Sequence, residues 1–138
     1  MSPLVRLLYP LAARSRTPVA VIGWWERRRV TFNLVVGTSG LFSLGLVNMI
    51  LGLPPLSGPV PGIPILPALA YGILANVLYS AGWGTELLFN AWWRKDPPEI
   101  GPVLFRQGLI FSVGLTLLPV AMAGLAWAAG FARWVLGW

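Results

Sequence analysis

Three long apolar stretches, separated by short polar or proline-rich segments, dominate the pattern of this chain. They cover residues 30–53, 68–93 and 103–131. A helix rises about 1.5 Å per residue and bilayer hydrocarbon is about 30 Å thick, so each stretch is long enough to cross a membrane as a helix. The pattern therefore predicts one membrane domain over residues 1–138, an all-α polytopic transmembrane helix bundle with three spans.

The segments around these spans are basic, rich in proline, or short and charged. They are a basic amino-terminal segment, 1–29, an uncharged loop with six prolines, 54–67, a charged loop, 94–102, and a tail, 132–138. Proline lacks a backbone donor, so we expect no helix in the proline-rich loop. Ser2 and Pro3 are suited to begin a short interfacial helix in the basic segment, for which a flexible tail is the alternative.

Tryptophan pairs and cations mark two ends of the predicted spans. Tryptophan prefers the headgroup level, while arginine and lysine favour the cytoplasmic side of a membrane. Both clusters should therefore lie at the same inner interface, with the amino terminus inside and the carboxyl terminus outside, as in a bacterial inner membrane. The predicted interface anchors are Trp24, Trp25, Arg27, Arg28, Arg29, Trp92, Trp93, Arg94 and Lys95.

The first cluster also carries a short motif. It consists of Trp25, Glu26, Arg28, Arg29, Phe32 and Asn33. This stretch resembles the Trp-Glu-x-Arg-Arg-x-x-Tyr-Asn opening of the first span in small, uncharacterised bacterial membrane proteins, with phenylalanine in place of the tyrosine. The resemblance covers about a tenth of the chain and implies a membrane protein without implying an activity.

Polar side chains recur at helical spacing inside the spans. Glu26, Arg29 and Asn33 share one helical face, which predicts a connected polar patch. In the second span a stripe of polar residues includes Glu86, which we expect to face the bundle interior near Asn90, because an ionised carboxylate facing lipid costs a few kcal/mol. Arg106 or Arg29 should supply its countercharge. The predicted intramembrane polar cluster is Asn33, Asn76, Glu86, Asn90 and Arg106.

Small residues in the first span predict close helix packing. Ser39 and Ser43 are a small-xxx-small pair with Gly40 between them, and small residues let helix backbones approach closely in lipid. Asn48, deeper in this span, should face another helix, and Pro119 should kink the third span.

Composition limits the function. The chain is 57% apolar and 10% charged, which is too little polar surface for a soluble globule. It has no cysteine and no histidine, so no His- or Cys-ligated haem, chlorophyll or metal is expected, and triad chemistry lacks its usual base. The net charge of +6 is concentrated at span ends, which argues against nucleic acid as a partner. We therefore expect no enzyme activity.

Two functions remain. The first is an accessory or structural subunit of a larger membrane protein complex, with respiratory and photosynthetic assemblies as the energy-transducing examples. Its partners would be the lipid bilayer and other membrane subunits. The alternative is a small oligomeric ion or proton channel or transporter that uses the stripe around Glu86. The first is favoured because one intramembrane acid serves as readily as a tether between helices.

Overall fold

A computed structural model describes residues 3–12, 17–57, 65–93 and 99–137 of the chain. These residues form helices and no strand. The helices are α1 (Pro3–Leu8), α2 (Pro18–Gly52), α3 (Ile65–Trp92) and α4 (Gly101–Leu136). The last three are each long and apolar enough to cross a membrane. The predicted all-α, three-span fold is therefore confirmed, and the chain is an integral membrane protein.

Helices α2 and α4 run in the same direction, and α3 runs antiparallel to both. Trp25, near the start of α2, is bonded to Glu86, near the end of α3. The same carboxylate lies against Gly101, the first residue of α4. At the opposite end of the bundle, Trp127 of α4 donates a hydrogen bond to the carbonyl of Pro54, just beyond α2. Helix α2 packs more extensively on α4 than on α3.

Helix α2 begins at Pro18, twelve residues before the predicted start of the first span. Proline is favourable there because the first turn of a helix needs no donor at this position. The three consecutive arginines therefore lie within the helix. These arginines, the end of α3 and the start of α4 all lie at one end of the bundle. We call this end the arginine end. Helix α2 has 35 residues and is about 52 Å long, well beyond the hydrocarbon thickness.

The other two long helices also differ from the predicted bounds. Residues 65–67 were expected in the non-helical loop, but they belong to α3, because Pro67 falls in its first turn, where no helical hydrogen bond is lost. Helix α4 covers residues 101–136 and extends the predicted span at both ends, continuing through Pro119. Residues 54–57 of the proline-rich loop form a turn and no helix, while residues 58–64 of that loop and residues 94–98 lie outside the described residues.

The amino-terminal segment folds back onto the bundle. Helix α1 agrees with the predicted short helix, although Ser2 lies outside the described residues. Leu7 and Leu8 pack against the core, and the carbonyl of Leu11 accepts a hydrogen bond of 2.6 Å from the Trp24 indole. These contacts hold the segment against the three long helices.

Aromatic side chains form the core near the arginine end. Each ring lies within 6.4 Å of at least one neighbouring ring, mostly in edge-to-face arrangements that favour aromatic packing. The core rings are Trp24, Trp25, Phe32, Tyr79 and Phe105. Many other large apolar side chains of the long helices are exposed, as lipid contact requires.

Small residues bring α2 close to α4 in the middle of the bundle. A Cβ added at Gly40 would lie 3.6 Å from Cγ2 of Thr116, and Ser43 is buried. The amide nitrogen of Asn48 donates to the carbonyl of Leu44 in its own helix at 2.9 Å, and its Oδ1 is buried without a hydrogen-bond partner among the described residues, so the expected contact of Asn48 with another helix stays a prediction. The amide nitrogen bonds locally because that carbonyl lies one turn away.

We expect Gly40→Leu and Ser43→Leu to weaken the α2–α4 contact by about 1–3 kcal/mol, because a larger side chain overpacks a close helix pair. Leu41→Ile should have little effect, since Leu41 is 75% exposed. Unfolding of the purified protein in mixed detergent micelles measures the difference. Equal stability of all three variants would contradict close packing at Gly40 and Ser43.

Candidate functional site

The residues predicted to form one intramembrane polar cluster lie in separate places. Asn33 and Asn76 belong to a patch on the surface of the bundle. Glu86 lies in the interior. Asn90 is one turn further along α3, and its amide nitrogen is buried without a hydrogen-bond partner in the described part of the chain. The guanidinium of Arg106 lies 5.0 Å from the centre of the Tyr9 ring.

The surface group, here called the polar patch, links α2 to α3. Arg29 donates two hydrogen bonds of 2.7 Å to the carboxylate of Glu26, as the sequence predicts. It also reaches α3, where it donates to Ser80 Oγ at 2.8 Å and Asn76 Oδ1 at 3.3 Å. Asn33 and Asn76 exchange amide hydrogen bonds of 3.2 and 3.0 Å. One arginine therefore connects an acid on its own helix with two polar side chains on the next.

The polar patch lies on the outside of the bundle, at the start of the uncharged part of α2. Glu26 and Arg29 are 44% and 26% exposed. From this point, residues 30–52 of α2 carry no charge, and these 23 residues span about 34 Å, close to the thickness of bilayer hydrocarbon. Arg29 is therefore the last charged residue of α2 before the stretch that is long enough to cross the hydrocarbon, a position from which its side chain can reach lipid headgroups.

Glu86 occupies a closed site at the arginine end. It is 9% exposed and accepts a hydrogen bond of 2.6 Å from the Trp25 indole to its Oε2. A Cβ added at Gly101 would lie 2.8 Å from the Glu86 Cδ, so a larger residue there would displace the Glu86 carboxylate. The helix dipole places partial positive charge at the start of α4, where the carboxylate lies.

The prediction that Arg29 or Arg106 supplies the countercharge of Glu86 is wrong. Arg29 pairs with Glu26 instead, which is one turn away on the same helix and so needs no long reach. Arg106 lies over Tyr9. Arg29 bonds Ser80 of α3, and Glu86 is six residues beyond Ser80. Glu86 therefore lies about 9 Å closer to the arginine end along α3 than the residue that Arg29 contacts.

The predicted interface anchors fall into two groups. Trp24 and Trp25 are only 4% and 2% exposed, so they are core residues rather than headgroup anchors. Burial is favourable because both indole N–H groups find acceptors inside the bundle. Trp92 and Trp93 are 88% and 52% exposed. Arg27 is exposed, Arg28 lies over the Trp24 ring at 3.9 Å, and Arg94 and Lys95 lie outside the described residues.

Sequence reasoning missed the residues that fit around Trp25. A Cβ at Gly82 would lie 2.7 Å from Cη2 of the Trp25 ring, and the Tyr79 hydroxyl donates to the Trp25 carbonyl. Gly82 lies one turn before Glu86 on α3, and residues at this spacing share a helical face. The sequence feature that could have indicated a large side chain packed beside Glu86 was therefore this glycine. Together these residues form a socket for the indole.

The described residues hold no group of three or more acidic, histidine or cysteine side chains that could bind a metal ion. A scan against protein-family models and searches of curated proteins and of solved structures found no match to this chain. The resemblance of the Trp25 to Asn33 motif therefore stays a prediction.

We expect Gly82→Ala and Gly101→Ala to destabilise the bundle by about 1–3 kcal/mol, because each new methyl group would overlap the Trp25 ring or the Glu86 carboxylate. Gly84→Ala is the matched control on α3. A Cβ there meets no atom within 4 Å, and alanine gains about 1 kcal/mol of helix propensity over glycine.

Detergent unfolding followed by tryptophan fluorescence measures the three variants. The socket would be contradicted if Gly82→Ala gained as much stability as Gly84→Ala.

Proposed function

We propose that this protein is a non-catalytic structural or accessory subunit of a larger membrane protein complex. The observation that carries the proposal is apolar surface on the part of the bundle that extends beyond the hydrocarbon. If Arg29 marks the membrane boundary, the start of α2 projects about 18 Å past it. Ser80 lies at the same level on α3, and the rest of that helix, to Trp92, projects about as far. This projecting end holds Val19, Leu88 and Trp92, which are 82%, 70% and 88% exposed.

Exposed apolar side chains outside the hydrocarbon favour a protein partner. Water does not solvate them favourably, and contiguous apolar surface usually marks an interaction site. The aromatic core and the Trp25 socket stiffen this end, so the apolar side chains are presented on a fixed scaffold. A complex with a large membrane domain, of which respiratory and photosynthetic assemblies are examples, would provide such a partner surface.

The structure offers less support for the alternative, an ion or proton channel that uses Glu86. The carboxylate is enclosed by Trp25 and by the start of α4. A cavity of about 90 Å³ beside Trp25 is lined mostly by apolar side chains such as Phe32, Leu78 and Phe105. A transported ion would need polar groups along its path.

We expect the protein, purified in mild detergent, to retain other subunits at a fixed stoichiometry. Leu88→Gln and Trp92→Gln should lower the amount retained about tenfold, because an apolar side chain at the centre of an interface is commonly worth more than 1 kcal/mol. Leu88→Met is the matched control, since it keeps an apolar side chain of similar size. Quantitative mass spectrometry of the purified material measures the retained subunits.

Purification as a homo-oligomer alone would contradict the subunit proposal. In that case, liposomes containing the wild type and Glu86→Gln test the channel. A proton or cation leak of the wild type that the glutamine variant abolishes would establish the alternative.

We also propose that the arginine end faces the cytoplasm of a bacterial cell. In the sequence, nine of the ten cations precede residue 30 or fall within residues 94–106, and cytoplasmic loops carry an excess of arginine and lysine. Reporter enzymes fused at Gly58 and at Trp138 should then both report the outer side. A cytoplasmic signal from either fusion would contradict this orientation.

A further inference from the structure

An open groove of about 650 Å³ runs along α3 beside the polar patch. Its lining includes Arg29 of α2 and a row of α3 residues at four-residue spacing, which places them on one helical face. Most of that row is small, so the helix surface is recessed there. The α3 row is Ala68, Gly72, Asn76 and Ser80.

The groove is polar at one end and apolar at the other. Arg29, Asn76 and Ser80 lie at the level where the uncharged part of α2 begins, while Ala68 and Gly72 lie further from the arginine end. Ala68 is twelve residues from Ser80, about 18 Å along the helix. Half of the bilayer hydrocarbon is about 15 Å thick. The groove thus has the length and the polarity of one lipid leaflet.

We infer that this groove binds an anionic phospholipid, with the headgroup at Arg29 and one acyl chain along Gly72 and Ala68. Charge favours an anionic headgroup, because three consecutive arginines and the single acid Glu26 leave an excess of two positive charges at this level. Arg29 is 26% exposed, and its Nη1, which carries two hydrogens, makes one hydrogen bond among the described residues, so an arginine N–H is open to a phosphate. The Ser80 hydroxyl is already used, because it donates to the carbonyl of Asn76. The inference does not depend on the subunit proposal.

Native mass spectrometry of the protein with phosphatidylglycerol or phosphatidylcholine of the same acyl chains tests the headgroup. We expect phosphatidylglycerol to be retained in preference. Glu26→Gln should strengthen its binding about fivefold and Arg27→Gln should weaken it about fivefold, because each charge near the headgroups contributes roughly that factor. Equal retention of the two lipids by the wild type would overturn the inference.

Gly72→Leu tests the position, because leucine fills the groove while a Cβ at Gly72 meets no atom within 4 Å. Gly114→Leu, at an exposed position on α4 that is equally open, is the matched control. We expect bound phosphatidylglycerol to be lost in Gly72→Leu and kept in Gly114→Leu. Ala68→Leu narrows the same groove one turn away and replaces Gly72→Leu if that variant loses helicity.

Retention of phosphatidylglycerol by both groove variants at the wild-type level would overturn the proposed site. Loss of a copurifying protein from Gly72→Leu, with lipid binding unchanged, would overturn it as well, because a partner helix would then fill the groove.

Discussion

The hydrogen bond from the Trp25 indole to the Glu86 carboxylate joins the three long helices at one place. Trp25 comes from α2 and Glu86 from α3, and the carboxylate lies against Gly101 at the start of α4. Tyr79 donates to the Trp25 carbonyl, and Phe105 of α4 packs against the indole. Because each of these contacts joins different helices, together they set how the three helices meet at the arginine end.

This contact separates the buried acid from the arginines. Glu86 receives an indole N–H and the positive end of a helix, so its site is built without Arg29 or Arg106. Arg29 is then available to pair with Glu26 and to hold α3 through Ser80. A buried ion pair would carry a large desolvation cost, whereas the Arg29–Glu26 pair lies at the surface of the bundle, where the two side chains are 26% and 44% exposed.

The two ends of the bundle consequently have different characters. The arginine end has an aromatic core, a folded-back amino-terminal segment and apolar side chains beyond the level of Arg29. The middle of the bundle is thin, with α2 and α4 close together at Gly40. The exposed apolar side chains of the arginine end fit the proposed protein partner, and the excess positive charge near Arg29 fits the proposed anionic lipid.

The sequence by itself determined the fold class, the three spans and the pairing of Glu26 with Arg29. These depend on apolar length and on spacing within one helix, which are local properties. Only the tertiary structure decided that Trp25 is buried, that it bonds Glu86, and that Gly101 lies against the Glu86 carboxylate. Each of these contacts joins different helices, and the depth and rotation at which helices meet follow from packing all of them together, which no spacing within a single helix encodes.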